Sequence, residues 1–132
     1  MAIAVEILNR FWQQMATNDF HSVGSLLSDD FVLEWPQSGE RIRGRDNFIA
    51  MNVEYPAYGK WQFTVHRIVG TDSEAVSDVS VTDGTQHGRV VSFISVKDAK
   101  ITKNTEFWPD PFPAPDNRKH LVEMIAIENP ER

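Results

Sequence analysis

Between Trp61 and Trp108, apolar residues recur with a period of two through four successive stretches, each closed by a short turn signal. Trp61, Phe63 and Val65 mark one face of the first stretch. Gly70-Thr71-Asp72 turns it, and the second runs from Glu74 to Thr82. Asp83-Gly84 tolerates the positive φ of a tight primed turn and predicts a hairpin into a long strand from about Gln86 to Val96. A turn at Asp98-Ala99 leads to a last strand, Lys100 to Trp108. Connections this short join antiparallel neighbours, so the middle of the chain is committed to a meander. Pro109, Pro111, Pro113 and Pro115 then forbid regular pairing, since each lacks a backbone donor.

The first third carries the helical period instead. Ile3, Ile7, Leu8, Phe11 and Met15 form one amphipathic stripe. Asp19 can cap a second short helix that uses Phe20, Val23, Leu26 and Leu27. Phe31, Leu33 and Trp35 alternate with Val32 and Glu34 as a strand, and Pro36-Gln37-Ser38-Gly39 turns it back through Ile42. A third helix runs from Arg45 to about Val53, and a last short one is expected over Arg118 to Ile125. The fold class is therefore α+β, three N-terminal helices on one face of an antiparallel sheet, in one domain spanning residues 1–132. The uncovered face is also apolar, because Val91 and Phe93 stand on the reverse of Val90 and Ile94. A second copy is the simplest cover, which predicts a homodimer through the sheet.

Composition narrows the partners. With 13 Lys+Arg against 19 Asp+Glu the net charge is −6, which opposes binding to nucleic acid or an anionic membrane. The lack of cysteine excludes disulfides, thiolate metal sites and thiol nucleophiles. No apolar run reaches the roughly 20 residues of a spanning helix. The start, MAIAVEILNR, lacks a basic leader and does not read as a secretory signal, so a cytoplasmic protein is expected. His21, His66, His87 and His120 do not stand at the spacings that present a metal from one strand or helix, and there is no glycine-rich phosphate loop. The expectation is no metal and no cofactor.

The Phe11-Trp12 helix, Asp29-Asp30-Phe31, the run from Glu34 through Arg45, Asp98-Ala99-Lys100-Ile101 and Glu106-Phe107-Trp108 together resemble the nuclear transport factor 2-like (SnoaL-like) superfamily. The segment WPDPFPAPDNR, Trp108 to Arg118, is similar to the tail of an uncharacterised subgroup. The resemblance covers nearly the whole chain. It implies a cone-shaped, cystatin-like arrangement of curved sheet and helices, shared by ketosteroid isomerases, polyketide cyclases and limonene epoxide hydrolases. Where the isomerases carry a helix tyrosine, a base aspartate and a second acid, this chain matches Phe11, Trp35 and Val91, which implies no isomerase chemistry of that type. Where the epoxide hydrolases place an acid on the last strand, this chain has Glu106. Asp78 falls on a strand able to supply a second acid, but Val76 stands where the intervening arginine would be.

Two carboxylates carry the chemical reading. Asp78 interrupts Val76, Val79 and Val81 in a mid-sheet strand, where it must face a polar cavity or pair with a cation. Glu106 lies near the end of the last strand, either as a second cavity carboxylate or in an ion pair with a base such as Arg118. Glu34 alternates with inward residues and reads as solvated. Trp12, Trp35, Tyr55, Tyr58 and Trp108 are candidate lining residues, with His87 at a hairpin end as a candidate proton shuttle. The arginines Arg41, Arg43 and Arg45 read as partners of Glu40, Asp46 or Glu54. Two function classes stay open on these residues. One is a cofactor-free acid–base enzyme (isomerase, cyclase, dehydratase or hydrolase type) acting on a small hydrophobic molecule through Asp78 and Glu106. The other is a non-catalytic ligand-binding or dimerisation domain.

Overall fold

Six strands make one curved sheet in the computed structural model, which describes residues 2–126. The elements run α1 (Ile3–Ala16), a 3-10 segment (Phe20–Leu26), β1 (Leu27–Trp35), β2 (Glu40–Arg43), α2 (Gly44–Glu54), β3 (Gln62–Gly70), β4 (Glu74–Thr82), β5 (His87–Lys97), β6 (Lys100–Phe107) and a second 3-10 segment (Asp116–Leu121). The strand order is β2-β1-β6-β5-β4-β3. The meander β3 to β6 is antiparallel as expected, and β2 returns antiparallel on β1. The β1–β6 pair runs parallel, because these strands are joined by most of the chain rather than by a turn.

The stripe on α1 places Ala4, Ile7, Leu8, Phe11, Trp12 and Met15 in the interior. The second helix folds as 3-10 rather than α. Its sequence FHSVGSL contains Gly24 and two serines, and the Ser22 and Ser25 hydroxyls donate back to the carbonyls of Asp19 and Ser22. Such local bonds compete with the α-helical ladder. The expected last helix is also corrected, to the six residues Asp116–Leu121. Leu121, Val122, Met124 and Ile125 are all exposed, so no core is present to stabilise a longer one.

Strand alternation sorts the sheet into two faces. Ala75, Ser77, Val79 and Val81 of β4 and Val90, Ser92 and Ile94 of β5 face the helices. Val76, Asp78 and Ser80, with Val91 and Phe93 beside them, face outward. Register shifts at Leu27/Val32, Val65/Arg67 and Ser95/Val96 interrupt the ladders, the kind of irregularity that bends and twists a strand. Inside this curve, Phe31 is fully buried and meets Phe48 of α2 edge-on at 5.6 Å, while Phe11 meets Phe48 at 6.0 Å.

Two turns differ from their sequence signals. The Asp83-Gly84 hairpin is a four-residue loop between Thr82 and His87, with only Gly84 at positive φ (96°). The tight primed turn is at Asp98-Ala99 instead, where both residues are left-handed (52° and 61°) and Lys97 pairs with Lys100. The Asp83 carboxylate instead braces the loop from within, accepting from the backbone N–H groups of Thr85 and Gln86.

The Phe31 ring fills the joint between α2 and the sheet. Phe31→Ala should lower the unfolding free energy by about 3–5 kcal/mol in denaturant titration, whereas Tyr58→Ala, at an exposed side chain, should stay within about 0.5 kcal/mol.

Candidate functional site

On β6 the inward positions are Ile101, Asn104 and Glu106. Glu106 is almost wholly buried at the wall of a cavity of about 620 Å³ between the sheet and the helices. Phe11, Trp12 and Met15 of α1, Leu33 and Trp35 of β1, Phe48 and Met51 of α2, and Phe63 and Val81 of the sheet make most of its lining apolar. Gln37, Glu40, Gln86, His87, Trp108 and Asp110 add polar groups.

Side-chain donors from three strands hold the Glu106 carboxylate. The indole Nε1 of Trp35 donates to Oε1 at 3.0 Å, and the Ser92 hydroxyl and the Asn104 amide donate to Oε2 at 3.2 and 3.1 Å. Ser92 stands directly opposite Glu106 in the β5–β6 register, and Asn104 lies two residues before it on the same face. Burial pushes the Glu106 carboxyl above the usual carboxylate range, and the donors Trp35, Asn104, Ser92 and Trp108 oppose that push without cancelling it. A carboxyl so placed accepts and releases a proton more readily near neutral pH than an exposed one. Its partners exclude the alternative of an ion pair with Arg118. A further buried polar contact lies behind it, where Trp12 Nε1 donates to the Ser77 hydroxyl at 2.9 Å.

The loop between α2 and β3 closes one side of the cavity and is fastened at both ends. Asn18, left-handed at the end of α1 (φ 63°), accepts from the backbone of Trp61 and donates to its carbonyl, both at 2.8 Å. Asp83 accepts from the backbone N–H groups of Tyr58, Thr85 and Gln86 and from the Gln86 side chain. Burial of Asp83 works against its charge. The four donors outweigh it and hold this carboxyl well below the usual range. Gly59 is required where the loop meets the hairpin, since a Cβ there would lie 2.8 Å from the Asp83 carbonyl oxygen.

The expected site residues separate. Glu106, Trp12, Trp35, Tyr55, His87 and Trp108 all line the cavity. Tyr58 does not; its backbone serves the Asp83 clasp while its ring is exposed. Asp78 does not either, because the phase of β4 points it to the outer face, where Arg89 grips it through Nε and Nη2. That pairing holds the Asp78 carboxyl below its ordinary value, the reverse of what a buried base needs. The same alternation turns Val91 outward and Ser92 inward, so Ser92 is the β5 residue that meets Glu106. Glu34 is outward too, paired with Arg41 and Lys103, and Arg45 pairs with Asp29. Among the described residues, no three His, Asp or Glu side chains are grouped to hold a metal ion, and no helix is long and apolar enough to cross a membrane.

Residues 8–104 match the family model described as the SnoaL-like domain. Among solved structures, a proposed ketosteroid isomerase from Kribbella flavida is 32% identical, with a TM-score of 0.87 over 96% of this chain and 92% of that one. An NTF-2 like protein of unknown function from Burkholderia xenovorans is 34% identical, with a TM-score of 0.78 over 94% and 96%. An LEH-like epoxide hydrolase from M. tuberculosis, at 21% identity, shares the fold with a TM-score of 0.67 over 81% and 83%. No curated protein matches.

The raised pKa of Glu106 has a sign in stability. A carboxyl that titrates higher folded than unfolded (about 4.3 unfolded) stabilises the fold below the unfolded value and loses that contribution as pH rises through the folded pKa. Wild-type protein should therefore lose stability relative to Glu106→Gln as pH rises above about 4.3, by denaturant titration at stepped pH. Parallel curves would mean a carboxyl unshifted by folding.

Proposed function

The chain belongs to the SnoaL-like domain family, and we propose that it binds a small hydrophobic molecule in the aromatic cavity, with Glu106 as its proton-transferring group. The observation that carries this is the single carboxyl buried in an apolar cavity of about 620 Å³, a size suited to a drug-sized ligand. Trp35, Ser92 and Asn104 all donate to it, so the ionised form is prepared to accept a proton from an acidic C–H, a hydroxyl or a water. Once protonated, the same group can return the proton to another atom of the ligand, the sequence shared by isomerisation, cyclisation and dehydration. Trp35 both lines the cavity and donates to the carboxyl, joining shape selection to orientation of the base.

Phe11 and Trp35 supply neither phenol nor carboxylate, and Val91 faces away, which argues against steroid-isomerase chemistry of the usual kind. A second reading, ligand binding without conversion, is favoured by the position of Asp78: the second acid that an Asp-Arg-Asp water-activating arrangement needs is on the other face. A homodimer through the sheet is part of the same proposal. Val91, Phe93 and Phe107 form an outward patch, with the two phenyl rings edge-on at 6.0 Å, and Leu121, Met124 and Ile125 add further exposed apolar surface. A cytoplasmic setting completes the reading, supported by the acidic, ordinary globular composition.

For any compound that raises the melting temperature and is also converted, Glu106→Gln should lower kcat by about 10²–10⁴-fold while KM changes little. Asp78→Asn should leave kcat nearly unchanged; equal losses in both variants would remove the assignment, and ligands that bind but are never converted would favour the second reading. Phe93→Glu should convert a dimer to a monomer in sedimentation equilibrium, and a wild-type monomer would remove the dimer proposal.

A further inference from the structure

A second hollow, of about 420 Å³, lies on the outer face of the sheet where the proline-rich segment after β6 crosses it. Its floor follows from strand register. Thr64 of β3 stands opposite Ser80 of β4, and Ser80 stands opposite Arg89 of β5. Two hydroxyls and a guanidinium therefore form one transverse row, about 10 Å long at the usual spacing of strands. The row is set in place by its neighbours. Asp78 takes two bonds from Arg89, which fixes the guanidinium plane and offsets its charge, and His66 Nε2 lies 2.6 Å from the Ser80 hydroxyl. The tail supplies Pro109, Pro111 and Phe112, the last 71% exposed, with the Asp110 carboxylate among them.

One wall of hydroxyls with a charge-balanced guanidinium and one wall of proline and phenylalanine suit a ligand that is itself polar on its edges and apolar on its faces. A sugar ring has that anatomy, with hydroxyls around the rim and C–H bonds on the face. The two hollows adjoin along a shared wall. Val81, His87, Gly88, Arg89, Pro109 and Asp110 line both. At this border the Trp108 ring packs against Gly88, where a Cβ would come within 3.3 Å of it.

We propose that the outer hollow takes the uncharged sugar or polyol arm of a ligand whose apolar portion occupies the aromatic cavity, so that the substrate class is a glycoside-like conjugate of a hydrophobic ring. This rests on the cavity reading of the preceding section.

The test uses β-naphthol and its β-glucoside as probes, titrated calorimetrically into the full-length protein. The glucoside should bind about tenfold or more tightly than the naphthol, the gain of a few net hydrogen bonds. Ser80→Phe, which fills the groove floor, and Phe112→Ala, which removes the exposed wall, should each bring the glucoside back to the naphthol affinity. Unchanged naphthol binding in both variants certifies that they are folded. Equal affinities in wild type, or a loss of both probes in the variants, would overturn the groove assignment and leave the cavity reading standing. A failure of naphthol to bind wild type at all would overturn the cavity reading, and this inference with it.

Discussion

A carboxylate taken out of water must be supplied with donors, and the way this protein supplies them to Glu106 organises the rest of the molecule. Trp35 comes from β1, Ser92 from β5 and Asn104 from β6, so the site exists only when the parallel pair and the adjacent antiparallel pair are both in register. A slip of one residue in β6 would turn Asn104 and Glu106 outward together and put Thr105 and Phe107 into the cavity. The apolar surroundings that give the cavity its affinity for hydrophobic molecules are the same surroundings that raise the carboxyl's pKa. Binding and proton transfer thus draw on one physical cause.

Much of the fold was legible because hydrophobic period is a local property. The stripe on α1 and the alternation of β3 to β6 are written in consecutive residues, and the exposed apolar reverse of β5 could be read from Val91 and Phe93 beside Val90 and Ile94. Local turn chemistry was less reliable. Asp83-Gly84 carries the stronger signal for a primed turn, yet the Asp83 carboxylate takes bonds from Thr85 and Gln86 in a wider loop as well as from Tyr58, and the tight turn forms at Asp98-Ala99, with Ala99 left-handed. Seven residues containing glycine and two serines likewise made 3-10 rather than α-helix, a result that depends on which carbonyls those hydroxyls reach.

The candidate site divided along the same line. Glu106, Trp35 and Trp108 could be placed from their positions on or beside predicted strands. The face taken by Asp78 could not, because a strand with small or apolar residues at both phases leaves the choice of face to its neighbours. The partners of Glu106 were missed although one clue was present: Asn104 and Glu106, two apart on one strand, share a face. Ser92 needed the register between β5 and β6, which no single stretch of sequence carries.

The parallel pairing of β1 with β6 has a consequence for how the protein is made. Leu33 and Glu34 find their partners at Asn104 and Thr105, so the β1–β6 seam joins stretches separated by four other strands and a helix in the chain. With β2 paired on one side, β1 keeps its other edge open until β6 is available, and closing so large a loop slows the search. Until the strand bearing Glu106 docks, that open edge offers unpaired N–H and C=O groups to any other strand.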